Sequence, residues 1–256
     1  MMPNAEDDPR LTEPEASTTI SVRMPEPVRP LVTFVLIGLT VGIYVLQILT
    51  EFLAGIDIPV QLGVKFAPLI LEGQYWRLLT PMLLHGSAVH ILVNMYALYS
   101  LGPSLERYYG HSRFLLLYVL GGFAGNVLSF TLTPSPSLGA STAIFGLLAA
   151  EGVFVLRNRF LFGDNARSAL INIVTIAAIN LFLGLRPGID NWGHLGGLLG
   201  GLAFAWFGGP MFKVAPGVAG YELKDQVEPQ QSWIAAAVVA VMVTLFFVLV
   251  GLQVQG

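Results

Sequence analysis

The chain contains no cysteine, which excludes disulfides, thiol nucleophiles and thiolate metal sites. Charge is scarce as well: Asp, Glu, Lys and Arg make up 11% of the 256 residues, against about 25% in ordinary soluble domains. The net charge is −3, so there is no basic footprint for a nucleic acid. No repeat of fixed period is visible, which argues against a solenoid or propeller. The chain is rich instead in apolar residues, 54% of the total, with a mean hydropathy of +0.69. They run together in blocks, the pattern of a protein whose solvent is a lipid bilayer.

Residues 1–30 stand apart, with six acids and six prolines. Such a segment buries little and is expected to be a disordered cytoplasmic leader; it lacks the apolar core of a secretory signal. Seven apolar spans follow. Leu31 to Thr50 is 20 residues without a formal charge, enough to cross about 30 Å of hydrocarbon. After a long connection over 51–77, spans are expected within Leu78–Leu105, Phe114–Thr133, Ser141–Leu156, Ser168–Leu185, Asn191–Phe212 and Trp233–Val254. The chain then divides into a leader (1–30), a membrane core (31–212), a cytoplasmic linker (213–232) and a seventh helix (233–256). The fold class is all-α, a polytopic membrane helical bundle. With the N-terminus in the cytoplasm, inner segments carry ten Lys or Arg and outer segments three. This positive-inside bias puts the C-terminus outside, in a plasma or inner membrane.

Polar residues inside apolar spans are costly and mark a site by default. Ser141 lies among small residues in Gly139-Ala140-Ser141-Thr142-Ala143-Ile144-Phe145-Gly146, where a Pro/Ser turn gives way to an apolar helix. His194 lies in Asn191-Trp192-Gly193-His194-Leu195-Gly196-Gly197. Both enter their spans from the outer side and so share a depth. A hydroxyl becomes a nucleophile when a base takes its proton, and this pair meets that requirement. Phe145, one turn after Ser141, is placed to pack on the histidine ring. Glycines at 193, 197 and 201 form a small-residue seam, with Gly139, Ala143 and Gly146 as its counterpart on span four. The alternative is that the glycines only pack helices and His194 makes a structural hydrogen bond. His90 and Asn94, an i, i+4 pair, offer N–H groups for an oxyanion, as does the backbone of Ser141. His85, five residues before His90, is expected to point elsewhere and to be structural. A metal site of His85, His90 and His194 lacks the usual pair spacing and a carboxylate ligand, so no metal or cofactor is expected. Asp190, four residues before His194, reads as a solvated helix cap rather than a triad acid. Glu151 is expected to reach the inner interface near Arg157 or Arg159.

These residues together resemble the rhomboid intramembrane serine proteases. The resemblance runs through Trp76-Arg77, His85…His90-x-x-x-Asn94, Leu105-Glu106-Arg107, the G-x-S element at 139–141 and Gly193-His194-x-x-Gly197, in that order, across residues 31–212. It implies a six-helix core with a C-terminal seventh helix, the six-plus-one form. Ser141 would be the nucleophile and His194 its base, a dyad without an acid. His90, Asn94 and the Ser141 backbone would form the oxyanion hole, with Phe145 packed on the histidine. Arg77 and Glu106 would be structural, and Gly139, His85 and Gly197 would support the site. Substrates would be membrane proteins cut in or near a transmembrane segment. A silent relative that binds or escorts transmembrane clients is the alternative; a transporter would be expected to show paired broken repeats. Two positions depart from the family's habit: Thr142 stands where glycine is usual, and Gly193 where alanine is common. A β-branched Thr142 is expected to narrow the approach to the nucleophile.

Overall fold

The computed structural model describes residues 22–23, 28–217 and 220–255. Its elements in order are strand β1 (Val22–Arg23), helices α1 (Leu31–Ala54), α2 (Ile58–Gly63), α3 (Ala67–Leu71), α4 (Ala88–Leu132), α5 (Ser141–Arg157), α6 (Asn165–Leu183) and α7 (Asn191–Gly208), strands β2 (Phe212–Gly217) and β3 (Gly220–Asp225), and helix α8 (Pro229–Gln255). The expected leader falls almost wholly outside the described residues.

The architecture is a helical membrane bundle of six core helices and a seventh at the C-terminal end. By length and composition α1, α4, α6 and α8 can cross a bilayer. The 45 residues of α4 are two spans rather than one rod: Gly110, with φ 73° and ψ 167°, leaves the helical region and separates two arms, 88–109 and 111–132. Each arm is about 33 Å long at 1.5 Å per residue. No Lys, Arg, Asp or Glu marks the start of the first arm, so the uncharged run from Leu78 could not show where the helix begins. The helix starts ten residues later than that run because Tyr75–Leu78 and Thr80–Leu83 form 3-10 turns and Ser87 is extended, its hydroxyl accepting from His90 N.

Helix α7 is wedged between α4 and α5 by glycines on two of its sides. Toward α5, a Cβ on Gly197 would fall on the Thr142 carbonyl, and one on Gly201 on the Gly146 backbone. Toward α4, a Cβ on Gly196 would lie 2.7 Å from Ala124 O and one on Gly200 2.5 Å from Ala124 Cβ. The backbones touch because no side chain separates them. The seam expected between spans four and six is present, but the second arm of α4 shares it, and Gly139 lies outside it. The more peripheral α6 has none of its most apolar window buried.

Hydrogen bonds tie down each end of the bundle. Glu106 is fully buried and accepts from Val32 N, Thr33 N and Thr33 Oγ1 at 2.6–2.8 Å, so a carboxylate on α4 caps the start of α1, which has no side-chain cap of its own. Arg157 turns to the C-terminal carbonyls of α7, Ala205, Trp206 and Gly209, at 2.7–3.3 Å. Those orphan carbonyls attract the cation. On the same end, the linker contains a hairpin that periodicity did not reveal: β2 and β3 pair antiparallel from Phe212↔Asp225 to Gly217↔Gly220, and β1 joins β3 in parallel. Arg113 holds the hairpin to α4 through Asp225.

At the opposite end lies the long first loop. Arg77 is buried and donates to Gln74 Oε1, Val64 O and Gln61 O at 2.7–3.0 Å, stapling α2 to the following turns. Trp76 Nε1 donates to Leu62 O at 2.9 Å.

Candidate active site

The centre of the site is the start of α5. Gly139 adopts φ +133°, and a Cβ there would lie 2.8 Å from the His90 ring; only glycine lets the chain turn so closely past that imidazole. Its amide is held by Pro81 O at 2.9 Å. Ala140 follows as the N-cap of α5, with no side-chain hydrogen bond to the first-turn amides. Ser141 is thus the first helical residue, and no N-cap side chain takes up the first-turn amides.

His194 comes from the first turn of α7, buried between α4 and α5. Its Nε2 lies 2.9 Å from Ser141 Oγ, within range for proton transfer. Phe145 stacks on its imidazole, with ring centroids 4.3 Å apart and planes 13° from parallel. The Nδ1 atom of His194 is buried and has no hydrogen-bond partner among the described residues.

His90 and Asn94 lie on the first arm of α4. The His90 ring is beside Gly139. Asn94 is buried one turn further in, and its amide nitrogen donates to His90 O at 3.1 Å. His85 does not point elsewhere. Its ring meets that of His90 edge to face at 4.9 Å, and its Nε2 accepts from Ala140 N at 3.4 Å. The sequence estimate assumed one continuous helix; residues 84–87 precede α4, so five residues of spacing set no helical angle. Gly197 adjoins Thr142 across the seam, whereas Arg77 and Glu106 lie away from the pair, at the two ends of the bundle. Among the described residues no group of three or more His, Cys, Asp or Glu side chains is gathered for a metal.

The two unusual positions are neighbours. A Cβ on Gly193 would meet Thr142 Cγ2 at 3.1 Å, and one on Gly125 of α4 would meet Thr142 Cβ at 2.6 Å. The branched side chain at 142 therefore points into the helix contact, into room left by two glycines, and does not narrow the approach to Ser141 in the way its size alone suggests.

One cluster escaped the sequence reading. Asp190 is indeed the N-cap of α7, its Oδ1 accepting from Gly193 N at 3.0 Å, but it is not simply solvated. Thr133 Oγ1 donates to it at 2.8 Å and Ser129 Oγ donates to its other oxygen. Burial would raise this carboxyl, but the bonds from Ser129, Ser137, Thr133 and Gly193 hold it below the usual carboxylate range. Beside it Lys65, with no exposed surface, donates to Thr133 O and Ser135 O at 2.7–2.8 Å, and its backbone pairs with Ser137. Burial pulls the Lys65 ammonium down to about 8, with Asp190 acting in the opposite direction. Ser129 and Lys65 are 61 and 125 positions from Asp190, so no local motif announces the cluster.

A bundle of apolar helices long enough to cross a bilayer, with a serine at one helix start 2.9 Å from a histidine on another, defines an integral membrane protein. The Rhomboid domain family model matches residues 72–211, and the chain belongs to the rhomboid family. Rhomboid protease GluP of Bacillus subtilis (strain 168) is 41% identical over 174 residues, 68% of this chain and 34% of GluP. RHOMBOID-like protein 9, chloroplastic, of Arabidopsis thaliana is 30% identical over 206 residues, 77% of this chain and 48% of that protein. RHOMBOID-like protein 2 of the same plant is 39% identical over 145 residues, 56% and 45% of the two chains. The chain thus spans between 34% and 48% of these relatives' lengths.

Proposed function

We propose that this chain is an intramembrane serine endopeptidase that cuts membrane protein substrates in or near a transmembrane segment. The observation that carries the reading is the 2.9 Å contact between His194 Nε2 and Ser141 Oγ. Family membership and the identity with a protein named as a rhomboid protease support it.

In the proposed reaction Ser141 Oγ attacks the scissile carbonyl carbon while His194 Nε2 takes the hydroxyl proton. The carbonyl π electrons move to oxygen, and that oxyanion accepts hydrogen bonds from the Ser141 amide, the His90 ring and Asn94 Nδ2. Collapse breaks the C–N bond, His194 returns the proton to the leaving amine, and an acyl-enzyme remains. Water, deprotonated by the same histidine, then releases the new carboxylate and restores the hydroxyl. Phe145 holds the imidazole plane in the absence of a hydrogen-bonded acid. Positive-inside charge orients the site toward the outer face, with the hairpin in the cytoplasm.

The test is incubation of the purified chain in detergent with a transmembrane model substrate, beside Ser141→Ala. Cleavage that vanishes in the variant is the expected result; a wild type that binds the substrate but never cuts it would instead make the chain a silent client-binding relative.

A further inference from the structure

The segment between α4 and α5, residues 133–140, delivers Ser141 to His194 but has little structure of its own. Pro134 and Pro136 offer no amide hydrogen. Among the described residues, none of its hydrogen bonds joins two residues of the segment. Its course is set from outside, and chiefly by Lys65 of the first outer loop. Lys65 N donates to Ser137 O at 3.0 Å, and Ser137 N donates to Lys65 O at 3.1 Å. The Lys65 ammonium donates to Thr133 O at 2.7 Å and to Ser135 O at 2.8 Å. One residue thus holds alternate positions of the segment, 133, 135 and 137. Lys65 has no exposed surface, and neither acceptor of its ammonium is a carboxylate. Burying a cation in this way is costly; an apolar side chain would fill the same space without that cost.

Lys65 is itself anchored. Next to it, Val64 O accepts from the buried Arg77 at 3.0 Å, and Gly63 O accepts from Thr80 Oγ1 at 2.6 Å. Pro81, which follows Thr80, takes the Gly139 amide at 2.9 Å. The first loop therefore grips the segment at Ser137 and again at Gly139, two residues before Ser141 and against the His90 ring.

We propose that Lys65 is a positioning residue for Ser141: by holding Thr133, Ser135 and Ser137 it sets where the Gly139 turn, and with it the Ser141 hydroxyl, stands against His194. The proposal rests on the protease reading above. Lys65 makes no hydrogen bond to Ser141 or His194, so it acts on the rate through geometry alone. That is enough to matter, because a shift of about 1 Å in a reacting group can cost about 100-fold.

The experiment compares wild type and Lys65→Met in detergent, well below the melting temperature of each. Methionine keeps the length and apolar body of lysine but cannot donate. Two readouts are taken: kcat and KM for the transmembrane substrate, and phosphonylation by a fluorophosphonate. In the second, Ser141 Oγ displaces fluoride from phosphorus as its proton passes to His194. The end point of labelling counts folded sites, and the rate reads the placement of the hydroxyl. In Lys65→Met, kcat and the labelling rate should each fall about 10- to 100-fold, with KM and the labelling end point unchanged. A side chain that only stabilises the fold would lower the end point and leave the remaining sites at the wild-type rate. That result overturns the proposal, as does a variant that cleaves and labels like wild type, and both leave the protease reading standing. A wild type that neither cleaves nor labels overturns both readings. If Lys65→Met does not fold, Ser137→Pro takes its place, read against Ser137→Ala to discount the lost hydroxyl. It removes the amide that donates to Lys65 O and leaves the ammonium in place. Labelling should then slow about three- to tenfold, the scale of one neutral hydrogen bond, and an unchanged rate overturns the proposal.

Discussion

Thr142 and Gly193 share one packing site, and neither makes sense alone: the threonine methyl lies 3.1 Å from where a Cβ at 193 would stand. Gly193→Ala should therefore slow cleavage and lower the melting temperature, by crowding Thr142 and the Asp190 carboxylate together. Thr142→Gly should relieve much of that cost. The check is a double-mutant cycle on melting temperature and rate, with an expected coupling of about 1–2 kcal/mol. Additive effects would show that the two positions do not compensate.

Asn94→Ala should lower kcat about 10–1000-fold, the range for loss of one oxyanion donor, and change KM far less. The side chain already bonds its own helix through His90 O, so the fold should survive. An equal effect on KM would make Asn94 a substrate contact instead.

Gly197→Ala should cost both activity and stability, since even one methyl would meet the Thr142 carbonyl. Overpacking of this kind costs about 1–3 kcal/mol, and it displaces the residue next to Ser141. Gly42→Ala is the control, because nothing lies within 4 Å of a Cβ there. Cleavage rates and melting temperatures of the two variants beside wild type decide it; a Gly197→Ala protein that cuts normally would refute the close seam.

Lys65 gives the folded protein a pH dependence of definite sign. Its ammonium titrates near 8 when folded against an ordinary 10.5. Between those values the unfolded chain holds the proton and the folded chain does not, so stability rises with pH across that window. Below it the penalty for burying the charge is constant. The melting temperature of wild type should therefore climb between pH 8 and 10.5 relative to Lys65→Met, with the two curves parallel at lower pH.

Much of this was readable from residues alone, for physical reasons. Ser141, Phe145, His194 and the glycine seam sit in short local patterns, and helical periodicity makes local patterns geometric. The helical class followed from the apolar runs. The hairpin at 212–225 did not show, because six-residue strands broken by Pro216 and charged residues resemble any polar linker. The break around Gly110 was legible as the polar stretch 106–113 between two expected spans, although the φ of that glycine was not. The Asp190 cluster was missed since Lys65, Ser129 and Thr133 reach it only through tertiary packing, and charge at a span end reads as solvated when its partners are distant in the chain.

The wedge of α7 has a consequence for how this protein can vary. Gly193, Gly196, Gly197, Gly200 and Gly201 make their contacts by having nothing beyond Cα, so the interface is written in absences. At such a position there is no conservative neighbour to drift to, because every substitution adds atoms and none can remove them. A core of leucines can wander through isoleucine and methionine by trading volume between partners; this one has no volume to trade. Mutational damage to the Ser141–His194 geometry should therefore concentrate at a handful of residues that carry no chemistry of their own, with tolerance returning only where, as at Thr142, the facing chain has already given way.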